Sequence, residues 1–152
     1  MKQSAGILLF RRIDRKPQFF LVHPGGPFFA KKDAGAWTIP KGEIIPPESP
    51  LDTAIREFEE ETGRRPVGPF IPLDAIVQKG GKHVLCWAVE GDLDPEKVVS
   101  NTFELEWPPR SGTKVSFPEI DKSGWFTLAE AKQLINERQV SLLEQLVMFL
   151  NG

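Results

Sequence analysis

GEIIPPESPLDTAIREFEEETG, residues 42–63, carries the strongest local signals in the chain. Ser49 is a natural N-cap, Pro50 suits the first helical position, Asp52 complements the free N–H groups of the first turn, and Gly63 is a terminator. Leu51, Ala54, Ile55 and Phe58 recur at offsets of three and four, which predicts one apolar face packed against a sheet.

At roughly 100° per residue, that face sets Glu57, Glu60 and Glu61 together on one flank and Glu59 on the other. Like charges at these spacings repel by about 0.2–0.5 kcal/mol per pair, and the helix dipole disfavours acids in the last turns. A divalent cation would reverse both penalties. Hard oxygen ligands without Cys or His select Mg²⁺, with Mn²⁺ as the alternative. A solvated acidic surface is the competing explanation of any charge run, and the preceding residues weigh against it. Residues 37–39 read as a strand and Pro40, Lys41 and Gly42 as a turn, bringing a carbonyl and an ammonium group near the helix, with Glu48 just before its start.

With those residues in place, the segment resembles the signature of the Nudix hydrolases, a family that cleaves nucleoside diphosphates linked to another group. Gly42, Glu48, Arg56, Glu57, Phe58, Glu60, Glu61 and Gly63 all fall in the family register. Arg64 stands where the family usually has an aliphatic residue, a packing position. The stretches HPGGPFFAKKDAGAWTIPKGE (23–43) and FELEWPPRSG (103–112) are most similar to a bacterial branch described as predicted nucleoside triphosphate pyrophosphohydrolases.

The rest of the chain is compatible. Its 152 residues suffice for one domain with a substantial core, so 1–152 is read as a single domain. With 40% hydrophobic and 26% charged residues it has an ordinary globular composition, and a net charge of -2 argues against nucleic-acid polymers and anionic membranes as partners. The single Cys86 excludes an internal disulfide and fits a reducing compartment. No apolar run approaches membrane-spanning length, and the reading is a cytoplasmic protein, monomeric or homodimeric.

Strands are expected over 4–10, 18–22, 71–79, 82–89 and 102–107, with Gly80-Gly81 as a hairpin turn and 108–114 as a mobile loop. Thr127 and Glu130 make a capping box for a further helix, and Val140, Leu143, Val147 and Leu150 give the last helix an apolar face. Strands mixed with a central helix and terminal helices imply a mixed sheet covered on both sides. The resemblance implies the same architecture, the α/β/α sandwich of the Nudix fold.

Residue roles follow from the resemblance. It implies Glu60 and Glu61 as leading metal ligands and Glu57 as a further ligand or the base that orients water. Arg56 would hold a carboxylate in place, and a carbonyl at Lys41 or Gly42 would complete the metal shell. Glu119, in the late FPEID segment, is the second candidate base. Lys41, Lys32, Phe28 and Trp37 are candidates for phosphate attraction and base stacking, Trp37 being also a natural core residue. The expected activity is divalent-metal-dependent hydrolysis of a phosphoanhydride in a small-molecule nucleotide. The alternatives are a dinucleoside polyphosphate hydrolase and a nucleotide-sensing domain without turnover.

Overall fold

Strand β1 (Gln3–Ile13) is buried on both faces from Ser4 to Phe10, the pattern of a central strand. The computed structural model describes residues 2–152. After β1 come β2 (Lys16–Pro24), β3 (Lys41–Glu43), helix α1 (Pro50–Thr62), and the short strands β4 (Ile71–Pro72) and β5 (Ile76–Val77). Then follow β6 (His83–Glu90), β7 (Thr102–Glu106), β8 (Lys114–Pro118), β9 (Ile120–Phe126), α2 (Leu128–Leu134) and α3 (Val140–Asn151).

The main sheet runs β4-β6-β1-β2-β9, with β3 added to β1 and β5 to β6. Among the described residues of this sheet only the β1–β6 pair is parallel, so the sheet is mixed, as expected. Alternation along each strand sorts side chains between two cores. Leu8, Phe10, Phe19, Leu21, Val84 and Cys86 face α2 and α3 through Ala131, Leu142, Leu143 and Leu146. Ala5, Ile7, Leu9, Phe20 and Val22 face α1 through Ala54 and Phe58. The helices thus cover both faces, the α/β/α sandwich predicted. Neither core is optional, because each strand residue must be buried on its own side.

Several elements differ from their sequence reading. Residues 71–79 form two short strands rather than one, each paired with β6. The segment after 107 is only in part a loop, because Lys114–Pro118 pairs with β7 as a separate two-stranded hairpin. Strand β9, which the sequence reading did not assign, pairs with β2 through residues from Phe126↔Phe19 to Ile120↔Pro24.

The most consequential difference lies at 37–43. Residues 37–39 make only isolated bridges, Thr38 to Val22 and Trp37 to Ile135, while Lys41–Glu43 is itself the strand. Strand β1 pairs with β2 through Phe10–Ile13 but with β3 through Ser4–Gly6, so the chain enters as a wedge between two diverging strands. Ile7 N–H donates to the Pro40 carbonyl at 3.1 Å and Val22 N–H to the Thr38 carbonyl at 3.0 Å, which satisfies both sides of the opening. The wedge requires Gly6. A Cβ there would stand 2.6 Å from the Pro40 carbonyl oxygen and 2.8 Å from Ile39 Cδ1.

Gly6→Ala is expected to lower unfolding stability by about 1–3 kcal/mol through this overpacking. Urea denaturation followed by Trp fluorescence measures it, and an unchanged midpoint would contradict the tight wedge.

Candidate active site

Helix α1 forms as its caps dictate. The Ser49 side chain accepts from Asp52 N–H at 3.2 Å, Pro50 opens the helix, and Gly63 closes it in the left-handed conformation. Its last turn contains no basic residue, so Glu59, Glu60 and Glu61 sit at the negative end of the dipole with no cation of that turn to offset them. Glu59 is exposed, whereas Glu61 is buried, at 6% exposure. The apolar stripe also differs in detail, since Thr53 and Thr62 share the buried face with Ala54 and Phe58.

Arg56 organises the carboxylates. Its guanidinium takes Glu48 bidentately, Nε to Oε2 and Nη2 to Oε1, both at 2.9 Å. Nη1 donates to Glu60 Oε2 at 2.7 Å and to Glu57 Oε1 at 3.1 Å. Thr53 Oγ1 donates to Glu48 Oε1 at 2.7 Å. Glu48 is thereby held well below the usual carboxylate range, at about 2, chiefly by the Arg56 bonds and then by Thr53. Its role is to anchor the guanidinium and the helix start, and Arg56 acts as an orienter of acids, as expected for a fork of this geometry.

Glu57 and Gly42 meet in van der Waals contact. A Cβ on Gly42 would lie 2.0 Å from the Glu57 carboxyl carbon and 2.2 and 2.4 Å from its oxygens. The absence of a side chain at position 42 is what admits the carboxylate. Glu61 faces the same strand, with the Lys41 backbone and ammonium near it. Burial pushes the Glu61 carboxyl up to about 9, with the Glu57 and Glu119 charges adding to the rise and the two Lys41 groups opposing it. Glu57 is also raised, first by burial and then by Glu60. Lys41 is lowered, mainly by burial and then by Lys82, with Glu61 and Glu57 opposing.

Glu119 reaches this place through the backbone. Asn101 N–H donates to the Glu60 carbonyl at 2.9 Å, Glu119 N–H to the Asn101 carbonyl at 2.8 Å, and Gly25 N–H to the Glu119 carbonyl at 2.8 Å. Those links hold the β8–β9 junction against the end of α1. The Glu119 carboxyl is raised by burial and then by Glu60.

The structure therefore brings Glu57, Glu60, Glu61, Glu119, Arg56, Lys41 and Gly42 together. Among the described residues no three His, Cys, Asp or Glu side chains close into a ready-made ligand set, and Arg56 occupies oxygens of Glu57 and Glu60. The donor set nevertheless fits a hard divalent cation. Glu57, Glu60, Glu61 and Glu119 gather beside an Arg56 already bidentate on Glu48, one of the four is buried, and a glycine leaves room beside another.

Other candidates are placed differently. Trp37 is buried in the α2/α3-side core, edge-on to His23 and Phe126, with Nε1–H donating to Asp33 at 2.6 Å. Its ring is packing, and its contribution to the site is to anchor the wedge. Phe28 is 61% exposed and meets Trp107 of the β7–β8 hairpin edge-on at 5.6 Å, while Lys32 lies 5.7 Å over the Phe29 ring. Loop 25–36 is held from below by the buried His23, whose nitrogens contact Asp121 Oδ1 and the Lys32 carbonyl, each at 2.6 Å.

Sequence reasoning did not single out Gln78, Asn136 and Gln139, which border Lys41 in a recess of about 190 Å³ with Phe29 and Thr38. The one local signal was Asn136 as an N-cap, and its Oδ1 does accept from Arg138 N–H at 2.9 Å.

Comparison with known proteins agrees with the fold. The model of the NUDIX domain family matches residues 2–146. The asymmetrical bis(5'-nucleosyl)-tetraphosphatase of Rattus norvegicus is 31% identical over 106 residues, 62% of this chain and 69% of that protein. A probable DHNTP pyrophosphohydrolase of Lactococcus lactis is 36% identical over 78 residues, 50% of this chain and 40% of the relative. Among solved structures, a C. elegans Ap4A hydrolase binary complex superposes with a TM-score of 0.70 at 23% identity, covering 100% of this chain and 99% of the other. The NUDIX domain of Shewanella oneidensis NrtR complexed with ADP ribose superposes at 0.67 with 19% identity, covering 97% and 87% of the two chains.

Two outcomes are expected. Gly42→Ala displaces the Glu57 carboxylate and weakens Mn²⁺ affinity by more than about tenfold, read by calorimetric titration with the fold intact by circular dichroism. Because the folded-state value of Glu48 is depressed, its stabilisation is complete above the ordinary glutamate range and is lost as pH falls toward about 2. Glu48→Gln should flatten the acid limb of stability against pH, measured by urea unfolding between about pH 5 and 2.

Proposed function

The chain belongs to the Nudix family, and from that premise we propose that it hydrolyses a phosphoanhydride bond in a nucleoside polyphosphate at the acid cluster of α1. The observation that carries the reading is the gathering of Glu57, Glu60, Glu61 and Glu119 around Gly42 and Lys41. Nudix hydrolases use divalent metal, and Mg²⁺, with Mn²⁺ as alternative, matches the oxygen-only donors.

A pyrophosphate link resists attack because its anionic oxygens repel hydroxide, so hydrolysis needs charge neutralisation and an oriented water. Glu57, Glu60 and Glu61 would hold the cation, with the Gly42 backbone completing the set. The bound ion supplies charge neutralisation and a more acidic water. Arg56 keeps Glu57 and Glu60 aimed inward and Glu48 fixes Arg56 from behind. The Lys41 ammonium offers a contact for a phosphate oxygen. Glu119, outside the Arg56 network, is the better placed of the two candidate bases, because Glu57 already packs on Gly42 and accepts from Arg56.

A dinucleoside polyphosphate is the second reading of the substrate. The exposed Phe28 beside Trp107 favours it, as an aromatic surface apart from the Phe29 recess that suits a second base. Residues 1–152 are read as one domain. Cys86, buried and with its thiol pushed up to about 12 by burial, takes no part, and a free buried thiol accords with a cytoplasmic protein. Among the described residues no helix is long and apolar enough to cross a membrane.

With Mg²⁺ or Mn²⁺ present, wild type is expected to hydrolyse members of a panel of nucleoside triphosphates and dinucleoside polyphosphates. Glu60→Gln should lose more than about 100-fold in kcat with an unchanged circular dichroism spectrum. Chromatography of the products identifies the bond, and equal activity in wild type and variant would contradict the assignment.

A further inference from the structure

Two backbone N–H groups determine how the amides of the recess beside Lys41 are oriented. Ile39 N–H donates to Gln139 Oε1 at 3.0 Å, so Gln139 Nε2 faces the other way, donating to Thr38 Oγ1 at 2.9 Å and to Gln78 Oε1 at 3.5 Å. Gln139 is fully buried and cannot turn over without setting two N–H groups against each other at Ile39. Gln78 must then present its oxygen to Gln139, which turns its own Nε2 away. On the other wall, Arg138 N–H fixes Asn136 Oδ1 in the same manner and leaves Asn136 Nδ2 outward. Both amino groups lack a partner among the described residues, and both residues line the recess with Phe29.

The recess of about 190 Å³ accommodates one planar heterocycle, and it borders Lys41, next in the chain to the Gly42 on which Glu57 packs. We propose that it is a base-reading subsite in which Gln78 Nε2 and Asn136 Nδ2 donate to two adjacent acceptors. The substrate base is then a 6-oxopurine, guanine above adenine. Guanine presents O6 and N7 as neighbouring acceptors, whereas adenine pairs its N7 acceptor with an N6 amino donor that would abut one of the amides. Phe29 supplies the apolar wall for the ring. The inference rests on the nucleotide-hydrolase reading for its link to turnover and adds the base to it.

Two substitutions exchange a donor for an acceptor while retaining the structural bond of each residue. Gln78→Glu still accepts from Gln139, and Asn136→Asp still accepts from Arg138 N–H. Wild-type kcat/KM is expected to be at least about tenfold higher for GTP than for ATP, the scale of a bidentate base contact. 7-Deaza-GTP, which lacks the N7 acceptor, should fall toward ATP. In each variant the GTP:ATP ratio should drop by about tenfold or invert, carried by KM rather than kcat; the ratio cancels any general effect of the added charge. Kd values for GTP and ATP on the Glu60→Gln protein, measured calorimetrically with Mg²⁺, read the same preference independently of turnover. Equal Kd values, or an unchanged ratio in both variants, would overturn the proposal. A retained GTP preference without wild-type turnover would overturn the hydrolase reading alone.

Discussion

The Glu57 carboxylate lies where a side chain at position 42 would stand, and this contact couples helix α1 to the wedge strand β3. Neither element is useful alone. The helix supplies acids that repel one another at its negative end, and the wedge supplies the Gly42 gap and the Lys41 ammonium that make their approach tolerable. The wedge in turn exists because β1 and β2 diverge and Gly6 lets residues 38–41 pass between them. A chain of close backbone approaches therefore leads from the middle of the sheet to the site.

Arg56 gives this arrangement its stiffness. A guanidinium that binds Glu48 bidentately and also reaches Glu57 and Glu60 holds three carboxylates with one planar group. Removing any one acid leaves the fork partly paired, whereas removing Arg56 would release two repelling acids together. Glu61 is the acid most penalised as an anion: buried, with its carboxyl pushed up to about 9, it keeps its proton near neutrality until a cation takes the proton's place. The penalty opposes folding with Glu61 ionised and is relieved by cation binding, so local stability has been exchanged for affinity.

How much of this was legible in the sequence depends on how local each feature is. Helix α1 was legible because Ser49, Pro50 and Gly63 act within a turn of themselves, and the acid flank follows from helical period alone. The capping box at Thr127 and Glu130 was legible for the same reason. Strand β3 was not, because it pairs with β1, some forty residues away in the chain, and Pro-Lys-Gly reads locally as a turn. Strand β9 was hidden by Lys122 and Gly124, and its pairing with β2 overrides weak propensity. Glu119 was legible as an acid near a turn, but its route to the site runs through Asn101 and Gly25. Gln78 follows β5 while Asn136 and Gln139 share the turn before α3, and the two segments meet only once the sheet and α3 have packed, so no spacing announces them.

Whether Glu57, Glu60 and Glu61 hold a divalent ion over Gly42 is decided by a crystal structure grown with Mn²⁺, with anomalous scattering collected to locate the ion. The expected result is an anomalous peak bounded by these three carboxylates, with Arg56 drawn off Glu60 and still bidentate on Glu48. A peak elsewhere, or none at this position with the Arg56 network unchanged at saturating Mn²⁺, would contradict it.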